Sequence, residues 1–584
     1  MKKDTRAQHE FSFLSKQYSR LKQQAAETKA SKLWRLEALI RSRIRELRAL
    51  QENKLPGYKP LFDNYTALFE EVSRRLLESY NAANSTDYVF EEVIKGSFQS
   101  YLRSGIISVL VTNHIPKIVA EEFSSILPDN PKDEYPAARR MKRRFILHLG
   151  DTNTGKTYNA LQRLKECQNG IYLAPLRILA LENFEYLNRE NVPCSLLTGE
   201  EEIIVENARH SSCTVEKADL SRFYGVAVID EIQLLSDSQR GDAWTRAILG
   251  LCCEEIHLCG AINVKNQLIK MLDDCGDDYE IKTYSRPVPL QIQRKAVSFT
   301  DIQPGDAYVA FSKRRVLALS SHFADCGIAC SVIYGNLPPE VRRLQYEQFS
   351  SGKSRVLVST DAIGMGVNLP IRRIIFTDTE KFDGEDFRPL SSQEIKQIAG
   401  RAGRLGIYNI GYVAGMSCDI DFIDSALQTD DPEIEQAVVG PSEELLKITR
   451  LPLKEKIALW STREEKLGYY RKKDVRDFIL ILDRLKPYKL EEADQWRLMM
   501  LPFDVNNESL LLQFLEYVEE CFILKAEELS RPVLEAHGLS FYEEYYQKIN
   551  LYYSFSKAMN MRFDAKWVEQ ARARVCEDIN ELLK

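Results

Sequence analysis

The chain has 584 residues, 44% hydrophobic and 28% charged, with a formal net charge of -6 and 12 cysteines. That length exceeds what one hydrophobic core organises, so several domains are expected. The acidic balance excludes a protein that coats polyanions non-specifically, although a basic groove stays compatible with it, and no apolar run is long enough to span a bilayer.

From about Phe11 to Asn53 the pattern predicts one or two helices. Leu33, Leu36, Ile40, Ile44, Leu47 and Leu50 recur at steps of three and four and give one apolar stripe. Arg35, Arg41, Arg43, Arg45 and Arg48 surround it and read as a solvated basic face rather than a binding surface. A helical pattern continues from Leu61 to Leu127, and "PDNPKDEYPAARR" breaks it, which places an amino-terminal helical domain at 1–138. From Phe145 short apolar strands alternate with helical stretches, the mark of a parallel α/β sheet. The strands "RFILHLG", "GIYLAP", "VAVID" and "EIHLCGA" form one set. "AYVAFS", "CSVIYG", "RVLVST", "RIIFTD" and "GYVAG" form a second, joined to the first near "SRPVPLQIQ". Two nucleotide-binding-type domains are therefore expected, at 139–286 and 287–430. After about Asp430 no strand is predicted, and 431–584 reads as a helical domain.

"LHLGDTNTGKTYNAL" holds Gly150-x-x-x-x-Gly155-Lys156-Thr157 between a strand and a helix. Small residues there let backbone N–H groups wrap phosphate oxygens, and the helix amino terminus adds positive dipole. Gly150, Asp151, Thr152, Asn153, Thr154, Gly155, Lys156 and Thr157 are thus the candidate ATP loop, with Lys156 on the β- and γ-phosphates and Thr157 on Mg2+. "AVIDEIQLL" ends a second strand in Asp230 and Glu231, in the right order for a metal-holding acid and a general base. In the second α/β unit "QIAGRAGR", Gln397 to Arg404, puts Arg401 and Arg404 three apart, on one face of a predicted helix. They suit arginine fingers reaching a γ-phosphate across a cleft, and the motif's glycines imply close packing. "STDAIGMGVNLP" offers the Gly-rich turn of Gly364 and Gly366 to the phosphates of a nucleotide or a strand.

These motifs, in this order with "APLRILALE", "SCTVEKADL", "LCGA" and "VAFSKRRV", resemble the DExH/D-box members of helicase superfamily two. "YPAARRMKRRFILHLGDTNTGKTY", "CTVEK", "DEIQ" and "VIYGNLPPEVRRLQ" resemble the suppressor-of-Var family of mitochondrial degradosome RNA helicases, over about residues 135 to 420 and more loosely at "LPFDVNNESLLLQFLEYVEEC". The resemblance implies two tandem RecA-like parallel-sheet domains flanked by all-helical domains, and an ATP-dependent helicase that unwinds RNA in RNA turnover. It implies that Pro175, Arg177, Thr214, Ser312 and Thr360 contact the backbone of a single strand, without reading its sequence. It gives Gln233 a contact with the facing domain that couples hydrolysis to movement, and Gln397 a place beside the arginines. Asp151 and Thr154 depart from the family's usual loop, and "LCGA" from its usual third motif; Asp151 either weakens nucleotide affinity or turns outward to cap the helix.

ATP and Mg2+ are the expected cofactors and single-stranded RNA the expected partner. DNA remains open because no 2′-OH contact is recognisable, and a non-unwinding ATP-gated RNA clamp or scaffold is a further alternative. Since no nuclease-type cluster of acids appears outside the ATP site, an exoribonuclease partner is expected, and no membrane; the chain is expected to be a monomer. The cysteines show no CxxC or zinc spacing, and Cys252, Cys253 and Cys259 sit in an apolar strand context. The amino-terminal stretch lacks an apolar core and is interrupted by Asp4 and Glu10. A bacterial-type, cytoplasmic relative is the resulting expectation.

Overall fold

The computed structural model describes residues 2–29, 32–51, 55–84, 88–114, 123–364, 369–384, 386–448 and 451–584. The chain divides into two compact units, one of residues 1–127 with 441–464, the other of 128–440 with 465–584. The short segment 441–464 thus groups with the amino-terminal helices.

The first unit is a helical bundle that includes Lys2–Glu27, Leu33–Ala49, Tyr58–Asn84 and Leu453–Thr462. The predicted stripe is its core: Leu33, Leu36, Ile40, Ile44, Leu47 and Leu50 are all buried. The basic face is less uniform than expected. Arg35 and Arg45 are exposed, but Arg43 is buried and pairs with Glu46 at 2.7 Å. Buried Glu37 on the same helix accepts from Ser73 Oγ and the Ile106 amide, each at 2.8 Å.

The second unit contains two parallel sheets. The first is ordered β4-β3-β5-β2-β6-β7-β1-β8. Its strands are β1 (Arg144–Gly150), β2 (Gly170–Ala174), β3 (Cys194–Leu197), β4 (Glu202–Ile203), β5 (His210–Thr214), β6 (Phe223–Ile229), β7 (Cys252–Gly260) and β8 (Asp278–Tyr284). Only the β3–β4 pair is antiparallel. The second sheet, β11-β12-β10-β13-β16-β9, is wholly parallel. It is built from β9 (Leu290–Gln293), β10 (Asp306–Val309), β11 (Cys330–Ile333), β12 (Val356–Ser359), β13 (Arg373–Phe376) and β16 (Gly411–Gly415). Between β13 and β16 a small hairpin, β14 (Glu380–Phe382) with β15 (Phe387–Pro389), stands apart from the sheet. Central strands bury every residue, as β2, β10, β12 and β13 do, which is why they read as largely apolar runs; the charged starts of β10 and β13, Asp306 and Arg373, are buried as an ion pair at 2.6 Å.

Register brings the carboxyl ends of the strands together. Leu149 lies beside Gly260, Ile229 beside Leu258, and Ala174 beside Thr214. The chain leaves β1 toward β2 on one side and reaches β8 on the other, so β1 flanks the switch point where open α/β sheets bind ligands. Strands do not end at Asp430 as expected: β17 (Ala437–Val439) pairs in parallel with β18 (Tyr470–Lys472). The rest of the carboxyl-terminal part is helical. Its last two helices, Leu539–Ala558 and Ala565–Leu582, touch both sheets' domains: Lys557 pairs with Glu202 and Arg572 with the Glu200 carbonyl, while Glu543 pairs with Lys313 and Asn580 with Gln345.

Candidate active site and nucleic-acid interface

The phosphate loop leaves β1 at Gly150, whose φ is +152°, and a Cβ there would lie 2.0 Å from the Tyr284 carbonyl of neighbouring β8. Only glycine fits so close a backbone approach. The loop closes at Gly155, and the helix Lys156–Glu166 begins. Lys156 Nζ folds back onto the loop, donating to the Gly150 carbonyl at 2.7 Å and to that of Asp151. Burial lowers the Lys156 pKa, opposed by Glu231. A desolvated ammonium inside a ring of backbone is the arrangement that receives a polyphosphate. The Asp151 side chain is exposed and does not cap the helix; its carbonyl accepts from Thr154 Oγ1 at 3.0 Å.

Thr157 Oγ1 donates to Asp230 Oδ1 at 3.0 Å, and Tyr172 OH to Asp230 Oδ2 at 2.9 Å. Trp244 Nε1 holds the Asp230 carbonyl at 2.9 Å. Burial, and then Glu231, push the Asp230 carboxyl above its usual range. A hydroxyl beside a carboxylate is an all-oxygen donor set suited to a hard dication, so these residues fit Mg2+. Glu231 follows in the left-handed region at φ +48°, a conformation that costs a non-glycine residue of order 1–3 kcal/mol and clusters at functional sites. The turn aims its carboxylate into the cleft. Gln233 Nε2 donates to that carboxylate, and Gln233 Oε1 accepts from the Ala261 amide at 3.1 Å. Both partners belong to the first sheet's domain. The expected contact of Gln233 with the facing domain is therefore not the one present: its amide ties the base to "LCGA" at the tip of β7.

On the facing domain the helix Ser392–Ala399 opens with a capping box of Ser391 and Glu394 and stops at Gly400. Arg401 and Arg404 lie in the turn beyond it and not on one helix face, because Gly403 between them takes a left-handed φ of +72° and turns the chain away. At Gly400 a Cβ would sit 2.7 Å from Thr152 Cβ, so the turn rests directly on the phosphate loop. Asn153 Nδ2 adds a bond to the Gly403 carbonyl at 3.3 Å. Arg401 lies 3.9 Å from Glu231 across the cleft and donates to the Gly364 carbonyl at 3.1 Å. Gln397 lines the same cleft, a space of 1230 Å³, and Arg404 is not among its lining residues. Gly364 thus serves as an acceptor for Arg401; Gly366 lies outside the described residues.

The five expected strand contacts fall at strand ends. Pro175 and Thr214 follow β2 and end β5, which are neighbours. Ser312 and Thr360 follow β10 and β12, also neighbours. Ser312 Oγ caps the helix Lys313–Asp325, and Thr360 Oγ1 accepts from the Ala362 amide at 3.2 Å. Arg177 departs from expectation. It is not free for a phosphate, being tied to Glu200 at 2.8 Å, Glu201 at 2.9 Å, Glu340 at 2.6 Å and Tyr546 OH at 2.8 Å.

Two cleft residues carried no sequence signal. Arg286, in the link between the sheets, donates to carbonyls of both domains. Glu182, on the helix Arg177–Arg189, has its carboxyl pushed up to about 7 by burial and by Glu185, with Arg401 opposing. Glu182 closes the stretch "APLRILALE" and Arg286 stands in the link "SRPVPLQIQ", but nothing in either pattern marks them as cleft residues, and only the fold brings them in.

A phosphate loop and acidic strand tip on one RecA-like sheet, faced by an arginine turn on another, define a nucleotide-hydrolysing DExH/D-type helicase. The DEXQ-box helicase domain of Suv3 matches residues 131–284, the helicase conserved C-terminal domain 292–406, and the SUV3 C-terminal domain 539–584. The chain belongs to the SUV3 family of ATP-dependent RNA helicases. It is 37% identical to the mitochondrial ATP-dependent RNA helicase SUV3 of Oryza sativa subsp. japonica over 77% of this chain and 81% of that one. With the mitochondrial DExH16 of Arabidopsis thaliana it shares 45% over 54% of this chain, and with SUV3 of Candida albicans 36% over 66%. It spans only 56% and 54% of the length of those two. Among solved structures, S. cerevisiae Dbp5 bound to RNA and ADP BeF3 aligns over 54% of this chain and 92% of that one, at 15% identity and TM-score 0.39.

By family the chain is a nucleic-acid-dependent ATPase and helicase that uses ATP. The cytoplasmic expectation is overturned, since these SUV3-family relatives are all named mitochondrial. Among the described residues no helix is long and apolar enough to cross a membrane.

Proposed function

We propose that this chain hydrolyses ATP in the cleft between its two RecA-like domains to move along single-stranded RNA and part duplexes. The observation that carries this is the opposition of Glu231 and Arg401 across the cleft, directly over the phosphate loop. The backbone of residues 150–157 and Lys156 hold the phosphates. Thr157 and Asp230 would hold Mg2+, which when bound neutralises phosphate charge. Glu231 accepts the proton of the attacking water as the bond from the γ-phosphorus to the ADP oxygen breaks. Gln233 fixes the Glu231 carboxylate by its Nε2 hydrogen bond, and Arg401 stabilises charge on the transferring phosphoryl group. Gln397 and Arg404 support that turn.

Thr214, Ser312 and Thr360, at strand ends of the two domains, would donate to successive backbone phosphates, with Pro175, which has no N–H, packing against the strand, so that opening and closing of the cleft advances it. The carboxyl-terminal helices 539–558 and 565–582, in contact with both domains, would close over it. In chain order the region 1–138 precedes the motor domains 139–286 and 287–430, and the region 431–584, helical apart from β17 and β18, follows them. We propose an exoribonuclease as a separate partner and a monomeric motor, and the relatives' names support a mitochondrial setting. The test is ATPase activity with matched single-stranded RNA and DNA, then unwinding of 3′- and 5′-tailed duplexes. RNA stimulation with unwinding is expected. Stimulation by DNA alone, or RNA binding without strand displacement, would overturn it.

A further inference from the structure

Residues 285–289 join β8 to β9 and form the first link between the two sheets. Within it Arg286 has a half-buried guanidinium whose hydrogen bonds all go to backbone carbonyls. Nη1 donates to Gly400 at 2.5 Å and reaches Thr152 at 3.5 Å; Nη2 donates to Ala402, and Nε to Val288 at 2.5 Å. Gly400 and Ala402 flank Arg401, and Thr152 belongs to the phosphate loop. Asn153 holds the next carbonyl, that of Gly403, at 3.3 Å. The turn carrying Arg401 is therefore gripped by its backbone on both sides, from the link and from the phosphate loop, while the Arg401 side chain projects toward Glu231.

Burial brings the Arg286 pKa down to about 10, and the nearby Asp151 carboxylate opposes the fall. A charge desolvated mainly against neutral carbonyls is a poor investment in stability. Its planar fork, however, reaches several acceptors in fixed directions, which a lysine ammonium does not reproduce.

We propose that Arg286 is a positioning residue for ATP hydrolysis: it reads the angle of the link and sets the Arg401 guanidinium over the phosphate site. Opening of the cleft would draw the link away and release the turn, so that Arg401 is aligned only when the domains are closed. This rests on Arg401 acting at the γ-phosphate.

The test uses the full chain with saturating single-stranded RNA and the variants Arg286→Ala, Arg286→Lys, Arg401→Ala and the double Arg286→Ala/Arg401→Ala. A misplacement of about 1 Å in a catalytic group costs on the order of 10²-fold, so Arg286→Ala is expected to lower kcat roughly 10- to 100-fold, with KM for ATP within about threefold. Arg286→Lys should not restore the rate, and the double variant should be no slower than Arg401→Ala. Binding of a fluorescent ADP analogue reports folding of each variant; if Arg286→Ala does not fold, Arg286→Lys enters the same cycle and must show the same non-additivity. Losses that multiply in the double variant, or a rise in KM with kcat unchanged, would overturn the inference. ATPase retained by Arg401→Ala itself would instead overturn the reading of the cleft.

Discussion

Arg401 of the second RecA-like domain lies 3.9 Å from Glu231 of the first, so the candidate base and the candidate finger face each other with no residue between them. Each is held by its own domain, Arg401 by the Gly364 carbonyl and Glu231 by Gln233. Arginine fingers contribute roughly 10³–10⁵ in rate, so Arg401→Ala should cut RNA-stimulated kcat by at least about 10³ while ATP binding persists. Arg404, outside the cleft lining, should be milder when changed to Ala. Single-turnover ATPase with a separate nucleotide-binding measurement checks both. Equal losses would mean that the turn rearranges to bring Arg404 in.

Gln233 tests how the base is held. Gln233→Leu removes the donor to Glu231 and leaves the Ala261 amide without its side-chain acceptor, a cost of about 1–3 kcal/mol for a buried donor. If that cost falls on the transition state, kcat drops roughly 10- to 100-fold. Steady-state ATPase and unwinding on the same substrate are the measurements. Parallel losses assign Gln233 to the base; a larger loss in unwinding adds the coupling role expected from the family.

The phosphate loop, the acid pair and nine of the strands were legible because each imposes a local pattern: glycines where backbone must approach, and apolar runs where strands are buried on both faces. β5 was not, because its buried residues are His210, Ser211, Ser212 and Cys213, satisfied by partners such as the Ala180 carbonyl that no local pattern announces. Arg401 and Arg404 were legible as chemistry but not as geometry, since Gly400 ends the helix against a loop distant in sequence. Arg286 was invisible for the same reason: its acceptors are backbone carbonyls of two other motifs. Arg177 was misplaced because the carboxylates that hold it come from elsewhere in the chain, Glu200 and Glu201 from the loop after β3 and Glu340 from the helix Pro339–Ser350 of the second domain.

That junction is itself testable. Arg177 is 9% exposed, and Glu200, Glu201 and Glu340 are 36%, 31% and 34% exposed. Arg177→Ala leaves these acids facing one another, and with partial solvent screening a loss of about 1–3 kcal/mol is expected. The double change Glu200→Gln, Glu201→Gln instead loosens the hold on Arg177. If the strand recruits Arg177, RNA affinity by fluorescence anisotropy should rise several-fold at low salt; unchanged affinity would confine Arg177 to the domain junction.

The last prediction concerns acid. His148 on β1 shares hydrogen bonds with Tyr284 OH at 2.7 Å and with His257 at 2.8 Å, and His257 meets Glu255 at 2.8 Å. Arg163, from the helix that follows the phosphate loop, grips Glu255 at 2.8 Å, so this buried chain anchors that helix to the sheet. Burial, then His257, lowers His148 to about 4. An unfolded histidine takes its proton near pH 6.5, whereas the folded one stays neutral until about pH 4. Its contribution to stability is therefore complete above pH 6.5 and drains away as pH falls from there to about 4, by up to ~1.4 kcal/mol per pH unit. Thermal melts at pH 7, 6 and 5 should show the helicase domains weakening across that window. His148→Gln cannot titrate, so it should be less stable at pH 7 yet lose less on acidification. A slope as steep as that of the unmodified chain would move the acid sensitivity to other groups.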